Sequence, residues 1–103
     1  MGNPMRIRAT EAGGVVEVKA LMSHIMETGQ RKDASGNIVP AHFIQTVTVT
    51  CNGKTVLTAE WGPAVSKDPF MSFKFKGGKK GDKVAVTWTD NKGDSRTDEA
   101  TVA

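Results

Sequence analysis

With 103 residues, of which 38% are hydrophobic, the chain is long enough to bury one core and too short for two. Its 14 basic and 11 acidic residues leave a net charge of +3, which favours solubility and an acidic partner but is too weak to indicate nucleic-acid binding. One cysteine excludes an internal disulfide, and no apolar run approaches the roughly 18 residues of a membrane span. The sequence therefore predicts one soluble domain over residues 1–103, with residues 1–4 disordered and no export signal at the N-terminus.

Two short strands and a long irregular segment open the chain. Met5 to Thr10 and a strand that ends near Met22 alternate apolar with charged residues, and the chain turns between them at Gly13-Gly14. Residues 23–39 then lack a regular period and repeat glycine, aspartate and asparagine. Connections of this length without regular structure are usually functional or mobile. We predict that residues 23–39 form a protruding arm, with a turn at Asp33 to Gly36, that holds little of the core.

A hairpin between His42 and Pro63 forms the predicted centre of the sheet. Asn-Gly at positions 52–53 is typical of a two-residue hairpin turn, because both residues tolerate positive φ. Before the turn one strand face is apolar and the other carries three threonines, as expected for a half-buried strand. The predicted apolar face consists of Phe43, Val47, Val49 and Cys51 before the turn and of Leu57, Ala59 and Trp61 after it.

Three further strands complete the pattern. They run from Phe70 to Lys76, around Val84 to Thr89 and from Arg96 to Val102, and turns rich in glycine, lysine and aspartate separate them. Large apolar side chains alternate with polar ones along the first two of these strands. Seven short strands without a helical period predict an all-β fold, an immunoglobulin-like antiparallel β-sandwich of about seven strands.

Cys51 is the only thiol and the first residue to consider for chemistry. A nucleophilic cysteine needs a neighbouring base or a positive field, whereas Cys51 continues an apolar strand face next to a tight turn. We therefore expect a small, buried packing residue, with a sulfur-carrying or redox thiol as the alternative.

Spacing by two residues places Met22, His24 and Met26 on one face if the strand continues. Thioether and imidazole ligands suit Cu(I), so a copper-binding domain is a second alternative. The simpler interpretation is a strand end with two core methionines and an exposed histidine. His24 and His42 flank the arm and could face each other, but no spacing typical of a catalytic triad accompanies them.

Large apolar side chains are concentrated between Trp61 and Phe75, around two prolines. Val65, Phe70 and Met71 cannot all lie on one buried face, which favours an apolar patch for a partner protein.

Three segments, ALMSHIMETGQRKDASGNIVPAHFI, WGPAVSKDPFMSFKFKGG and VTWTDNKGDS, closely resemble the SoxZ family over roughly Arg6 to Asp98. The resemblance implies an immunoglobulin-like subunit that pairs with SoxY in the carrier of the Sox thiosulfate-oxidation pathway. In such complexes the sulfur intermediates are covalently bound to a cysteine in a Gly-rich C-terminal segment of SoxY. This chain ends in SRTDEATVA and resembles the subunit that does not carry sulfur.

The resemblance implies further properties. It implies no catalytic residue, no cofactor and no metal, a heterodimer with SoxY, transient contacts with other Sox enzymes, and co-export to the periplasm with a signal-bearing SoxY. Self-association of the isolated chain stays open. The predicted partner interface consists of Met26, Glu27, Thr28, Gly29 and Arg31 in the arm and of Val65, Phe70 and Met71 in the apolar segment.

Overall fold

A computed structural model describes residues 4–24, 26–62 and 68–103 of the chain. Within these ranges the protein has seven strands and no helix, so none that is long and apolar enough to cross a bilayer. The predicted all-β sandwich of antiparallel sheets is confirmed. The strands are β1 (Arg6–Ala12), β2 (Val15–Leu21), β3 (Ile44–Cys51), β4 (Lys54–Glu60), β5 (Phe70–Lys76), β6 (Lys83–Asp90) and β7 (Ser95–Thr101).

The strands form a three-stranded sheet in the order β1-β2-β5 and a four-stranded sheet in the order β4-β3-β6-β7, with every pairing antiparallel. Successive side chains of a strand point to opposite faces, so alternating sequences bury one face of each sheet. The predicted inward positions of β2, of β3 from Val47 onward, and of β6 are buried. The core residues without measurable exposure are Val16, Val18, Ala20, Met22, Ile44, Val47, Val49, Val84, Val86 and Trp88.

The start of β3 departs from the predicted alternation. A register shift between Ile44 and Thr46 in the pairing with β6 changes the face on which residues lie. Ile44 is therefore buried in the core, whereas Phe43 is only half-buried and its N–H donates to Asn91 Oδ1 at 2.8 Å. The prediction that Phe43 shares the core face of Val47 was wrong, because strict alternation does not survive a bulge.

Two of the turns have the same construction. In the arm, the Gly36 N–H donates to the Asp33 carbonyl, and Asp33 Oδ1 accepts from the amides two and four residues further on. Between β6 and β7, the Gly93 N–H donates to the Asp90 carbonyl, and Asp90 Oδ1 again accepts from the amides two and four residues on. Both glycines have positive φ, 83° and 82°. One of these turns is exposed and the other begins at a buried aspartate.

The arm is a loose hairpin around the predicted turn at Asp33 to Gly36. Isolated bridges join Glu27 to His42 and Lys32 to Ile38, and residues 30–38 are all exposed. At the root of the arm Met26 packs against the core, as the simpler interpretation predicts, whereas His24 is buried and not exposed. The arm therefore contributes to the core at its root only.

The edges of the two sheets are protected in different ways. The N–H of Ala103 donates to the Ala9 carbonyl and its carbonyl accepts from the Glu11 N–H, which covers the outer edge of β1. At the other side of this sheet β5 has β2 as its one partner among the described strands. In the four-stranded sheet β4 is an edge strand, and a register shift at Val49/Thr50 interrupts its pairing with β3.

Candidate functional site

The root of the arm is joined to the segment that precedes β5. The Met22 N–H donates to the Pro69 carbonyl at 2.9 Å, and the Asp68 N–H donates to the His24 carbonyl at 2.9 Å. The His24 N–H also donates to Asp68 Oδ1 at 3.0 Å. These bonds extend the β2–β5 pairing beyond β2. The two segments that the sequence predicts as partner interface, in the arm and around Phe70, therefore begin at one strand junction.

Two histidines and a buried aspartate meet at this root. His24 Nε2 lies 3.0 Å and His42 Nε2 lies 2.9 Å from the same oxygen, Oδ2 of Asp90. The imidazole rings of the two histidines that flank the arm meet edge to face with centroids 4.6 Å apart. The His24 ring also packs edge-on against Trp88 at 4.7 Å.

The carboxylate of Asp90 is saturated with donors. Oδ1 accepts the N–H groups of Lys92 and Asp94, each at 2.9 Å, while Oδ2 receives the histidines. Burial by itself raises the pKa of Asp90, but the hydrogen bonds from His24 and His42 and the amide of Lys92 outweigh it. The pKa therefore lies below its ordinary value, and Asp90 is held as a carboxylate.

The role of Asp90 was not predicted from the sequence, where it belongs to one of the aspartate-containing turns. The signal was an acidic residue at the end of β6, two positions after Trp88, where a side chain of the same parity points inward. His24 was expected to be exposed. Instead its side chain is 5% exposed, because the Asp90 carboxylate satisfies the imidazole.

The predicted thioether site has other contacts. Met22 is fully buried, His24 directs Nε2 at Asp90, and the Met26 sulfur accepts the Ile44 N–H at 3.5 Å. The structure thus groups His24 with an imidazole and a carboxylate, which are harder ligands than Cu(I) prefers.

Phe70 lies on the outer face of the three-stranded sheet. It is 61% exposed and is directly opposite Leu21, which is 41% exposed and itself opposite Arg6. The next row of this face carries Arg8 and Lys19. An apolar pair with cations beside it therefore faces solvent. Phe70 was predicted from the sequence as an interface residue, but Leu21 was not, because it belongs to another strand and the register brings it beside Phe70.

The other predicted interface residues lie in different environments. Met71 is 8% exposed and belongs to the core of the chain itself, on the opposite face of β5 from Phe70. Val65 lies outside the described residues. In the arm, Glu27 and Arg31 form an ion pair of 2.8 Å, which lowers the pKa of Glu27 through the hydrogen bond from Arg31.

Short-range contacts order the part of the arm that lies between Glu27 and Arg31. Thr28 is exposed and its Oγ1 accepts the Gln30 N–H at 3.1 Å. Gly29 has a positive φ of 84°, and a Cβ there would lie 3.2 Å from the Ala41 side chain. Thr28 and Gly29 are thus held in one backbone conformation beside the pair.

Cys51 is the buried packing residue that the sequence predicts. It is 9% exposed within the core cluster, and its thiol lies 3.8 Å from Asp82 Oδ2. Burial raises the pKa of the Cys51 thiol, and the charge of Asp82 raises it further. A nucleophilic thiolate needs the opposite shift, so this environment disfavours reactivity.

The fold defines the chain as a small β-sandwich of the architecture found in superoxide reductases. A superoxide reductase (neelaredoxin) from Archaeoglobus fulgidus superposes with a TM-score of 0.66 at 23% identity, covering 99% of this chain and 90% of that one. A hypothetical protein from Pyrococcus horikoshii gives 0.66 at 18% identity, covering 98% and 88%. At these identities the likeness concerns the fold alone.

Residues 5–101 match the family model described as sulphur oxidation protein SoxZ. The chain belongs to the SoxZ family, and its role lies in the Sox sulfur-oxidation system. The comparison with curated protein sequences gave no significant match.

Proposed function

We propose that this chain is the non-catalytic subunit that pairs with SoxY to form the carrier of covalently bound sulfur intermediates during thiosulfate oxidation. It stabilises SoxY and helps to dock the enzymes that act on the carried sulfur. Membership of the SoxZ family supports the pathway. The observation that carries the pairing is the exposed Leu21–Phe70 pair on the outer sheet face.

An exposed aromatic beside an exposed leucine is the kind of centre that protein interfaces use. Burying these side chains removes apolar area from water, at about 25 cal/mol per Å². Aromatic residues and arginine are enriched in interface cores, and Arg6 lies in the same cross-strand row. The proposed partner surface therefore consists of Leu21, Phe70 and Arg6, with the arm segment Met26 to Arg31 beside the same strand junction.

The non-catalytic role is supported by the state of Cys51. A sulfur carrier needs a thiol that an enzyme can reach and that ionises readily, whereas Cys51 is buried and its pKa is raised. The carried sulfur is therefore assigned to the partner's cysteine.

Affinity for SoxY tests the partner surface. Phe70→Ala should weaken the heterodimer by about 2 kcal/mol or more, close to thirtyfold in Kd, as for a buried aromatic anchor. Ile38→Ala is the matched control, because Ile38 is also 61% exposed but lies in the arm outside this surface. The measurement is isothermal titration calorimetry, in which each purified variant is titrated into separately purified SoxY. Equal affinities for wild type and Phe70→Ala would exclude this face.

Docking of the pathway enzymes is proposed to use the cations of the same sheet face. Arg8 and Lys19 occupy adjacent positions there, so association with an acidic enzyme surface should slow as salt screens the charges. On-rates measured by surface plasmon resonance at several salt concentrations test this. A rate independent of salt would contradict it.

The periplasm is the proposed location, reached by co-export with SoxY, on the strength of the family resemblance. Fractionation of cells that express SoxY with or without its signal peptide tests it. The chain should follow SoxY into the periplasm, and its appearance there without an exported SoxY would refute co-export.

A further inference from the structure

We propose that His24, His42 and Asp90 form a binding site for one divalent transition-metal ion at the root of the arm. This inference does not depend on the pairing with SoxY. Two imidazole nitrogens and a carboxylate oxygen lie within 4.8 Å of one another there.

The two imidazole–carboxylate distances fit a shared ion. Two ligand atoms bonded to one ion at about 2.0–2.1 Å and at a right angle lie about 2.9 Å apart. The two histidine nitrogens lie 3.0 Å and 2.9 Å from Asp90 Oδ2. The imidazole–carboxylate separations therefore already equal those of neighbouring ligands around an ion.

The three ligands are fixed by separate parts of the fold. The backbone of His24 is bonded to Asp68, and that of His42 exchanges two hydrogen bonds with Glu27. The amides that hold Asp90 Oδ1 leave Oδ2 pointing at both rings. Such outer contacts orient ligands and are a regular part of metal sites. The ligands would therefore need little rearrangement to bind an ion.

Burial favours an ion, and the partly exposed His42 gives access to it. The side chains of His24 and Asp90 are 5% and 0% exposed, whereas that of His42 is 25% exposed. A buried carboxylate is costly unless a positive charge accompanies it, and a divalent ion supplies that charge. Binding exchanges two N–H···O hydrogen bonds for two N–metal bonds, with each ring hydrogen placed on Nδ1. The exposed side of His42 gives access for the ion and for water.

The ligand set points to a class of ion. Two imidazole nitrogens, each at the spacing of a right angle from one shared carboxylate oxygen, suit Fe²⁺, Co²⁺, Ni²⁺ or Cu²⁺. A tetrahedral ion holds its ligands about 3.3 Å apart at the same bond length, so Zn²⁺ would require the site to open. Of the thioether set considered from the sequence, this site retains only His24.

Titration of the untagged chain with Co²⁺ tests the site without any variant. The protein contains two histidines in all, so NMR signals of both imidazoles should shift or broaden together and saturate at one equivalent. In a Trp61→Phe background, fluorescence of Trp88 should be quenched along the same curve, because the His24 ring packs on it. Perturbation of one histidine only, or a response that does not saturate, would overturn the proposal.

Variants locate the ion. His42→Ala and Asp90→Asn should each weaken Co²⁺ binding at least about tenfold, as loss of one of three ligands requires. Cys51→Ser is the matched control and should bind as wild type does. Retained affinity in both ligand variants, or loss in Cys51→Ser, would place the ion elsewhere and refute the site. If a ligand variant fails to fold, the NMR titration of the wild type decides.

Discussion

Asp33 and Asp90 provide an internal comparison for the energetics of the buried cluster. Each aspartate begins a turn of the same construction, in which Oδ1 accepts the amides two and four residues further on. They differ in that Asp33 is exposed, whereas Asp90 is buried and also receives His24 and His42. Replacing each aspartate by alanine therefore separates the turn from the cluster.

The expected losses follow from what each substitution leaves behind. Asp33→Ala frees amides that water can reach, so the free energy of unfolding should fall by less than about 1 kcal/mol. Asp90→Ala leaves the His24 imidazole buried without its acceptor and also removes the amide contacts. An unsatisfied buried group costs about 1–3 kcal/mol, and breaking a buried charged contact about 3–5 kcal/mol. We expect Asp90→Ala to lose about 3–5 kcal/mol.

Urea denaturation followed by circular dichroism measures both losses. A chelator is present throughout, so that a bound ion cannot contribute. Single-domain stabilities are about 5–15 kcal/mol, so the Asp90→Ala midpoint should fall clearly below those of wild type and Asp33→Ala. Losses for the two variants that agree to within about 1 kcal/mol would show that the histidine contacts add nothing to the turn, and would refute the reasoning.

Three further predictions concern the core and its charges. Gly78→Ala should destabilise the fold by about 1–3 kcal/mol, because a Cβ would run into core side chains, whereas Gly62→Ala, where a Cβ meets open space, should change thermal unfolding little. Cys51 should resist alkylation in the native protein and react fully in urea, as mass spectrometry would show; rapid native labelling would contradict its burial and raised pKa. The hydrogen bond from Arg96 lowers the pKa of Asp98, so its stabilisation is present above the ordinary value of 3.8 and is lost as pH falls through the folded-state pKa. Asp98→Asn should flatten that acid limb of stability, and an unchanged limb would contradict the shift.

Most of the sheet follows from alternation in the sequence. Inward residues such as Val16, Val18 and Val86 could be assigned correctly, because each strand buries one face and side chains alternate. Asn52, with a φ of 52°, and Gly53 form the predicted turn. The assignment was wrong at Phe43. Side chains alternate regularly only where the pairing register is unbroken, and the position of a bulge depends on the partner strand.

The histidine cluster could not be predicted in the same way. His24, His42 and Asp90 come from three segments separated by long stretches of chain, and nothing in the local sequence of any one indicates the other two. Leu21 was missed beside Phe70 for the same reason, since cross-strand neighbours depend on register. Local patterns predict which face of a strand is buried, whereas sites depend on which strands are neighbours.

The open edge of β5 has a consequence for the behaviour of the protein at high concentration. An exposed strand edge is a template for pairing with another copy, which leads to fibrils. Lys74 and Lys76 are exposed on β5, and a full-length antiparallel pairing of two β5 strands would place the four ammonium groups on one face of the joined sheet. Their mutual repulsion opposes such pairing. The lysines thus act as gatekeepers against polymerisation along the β5 edge of the three-stranded sheet.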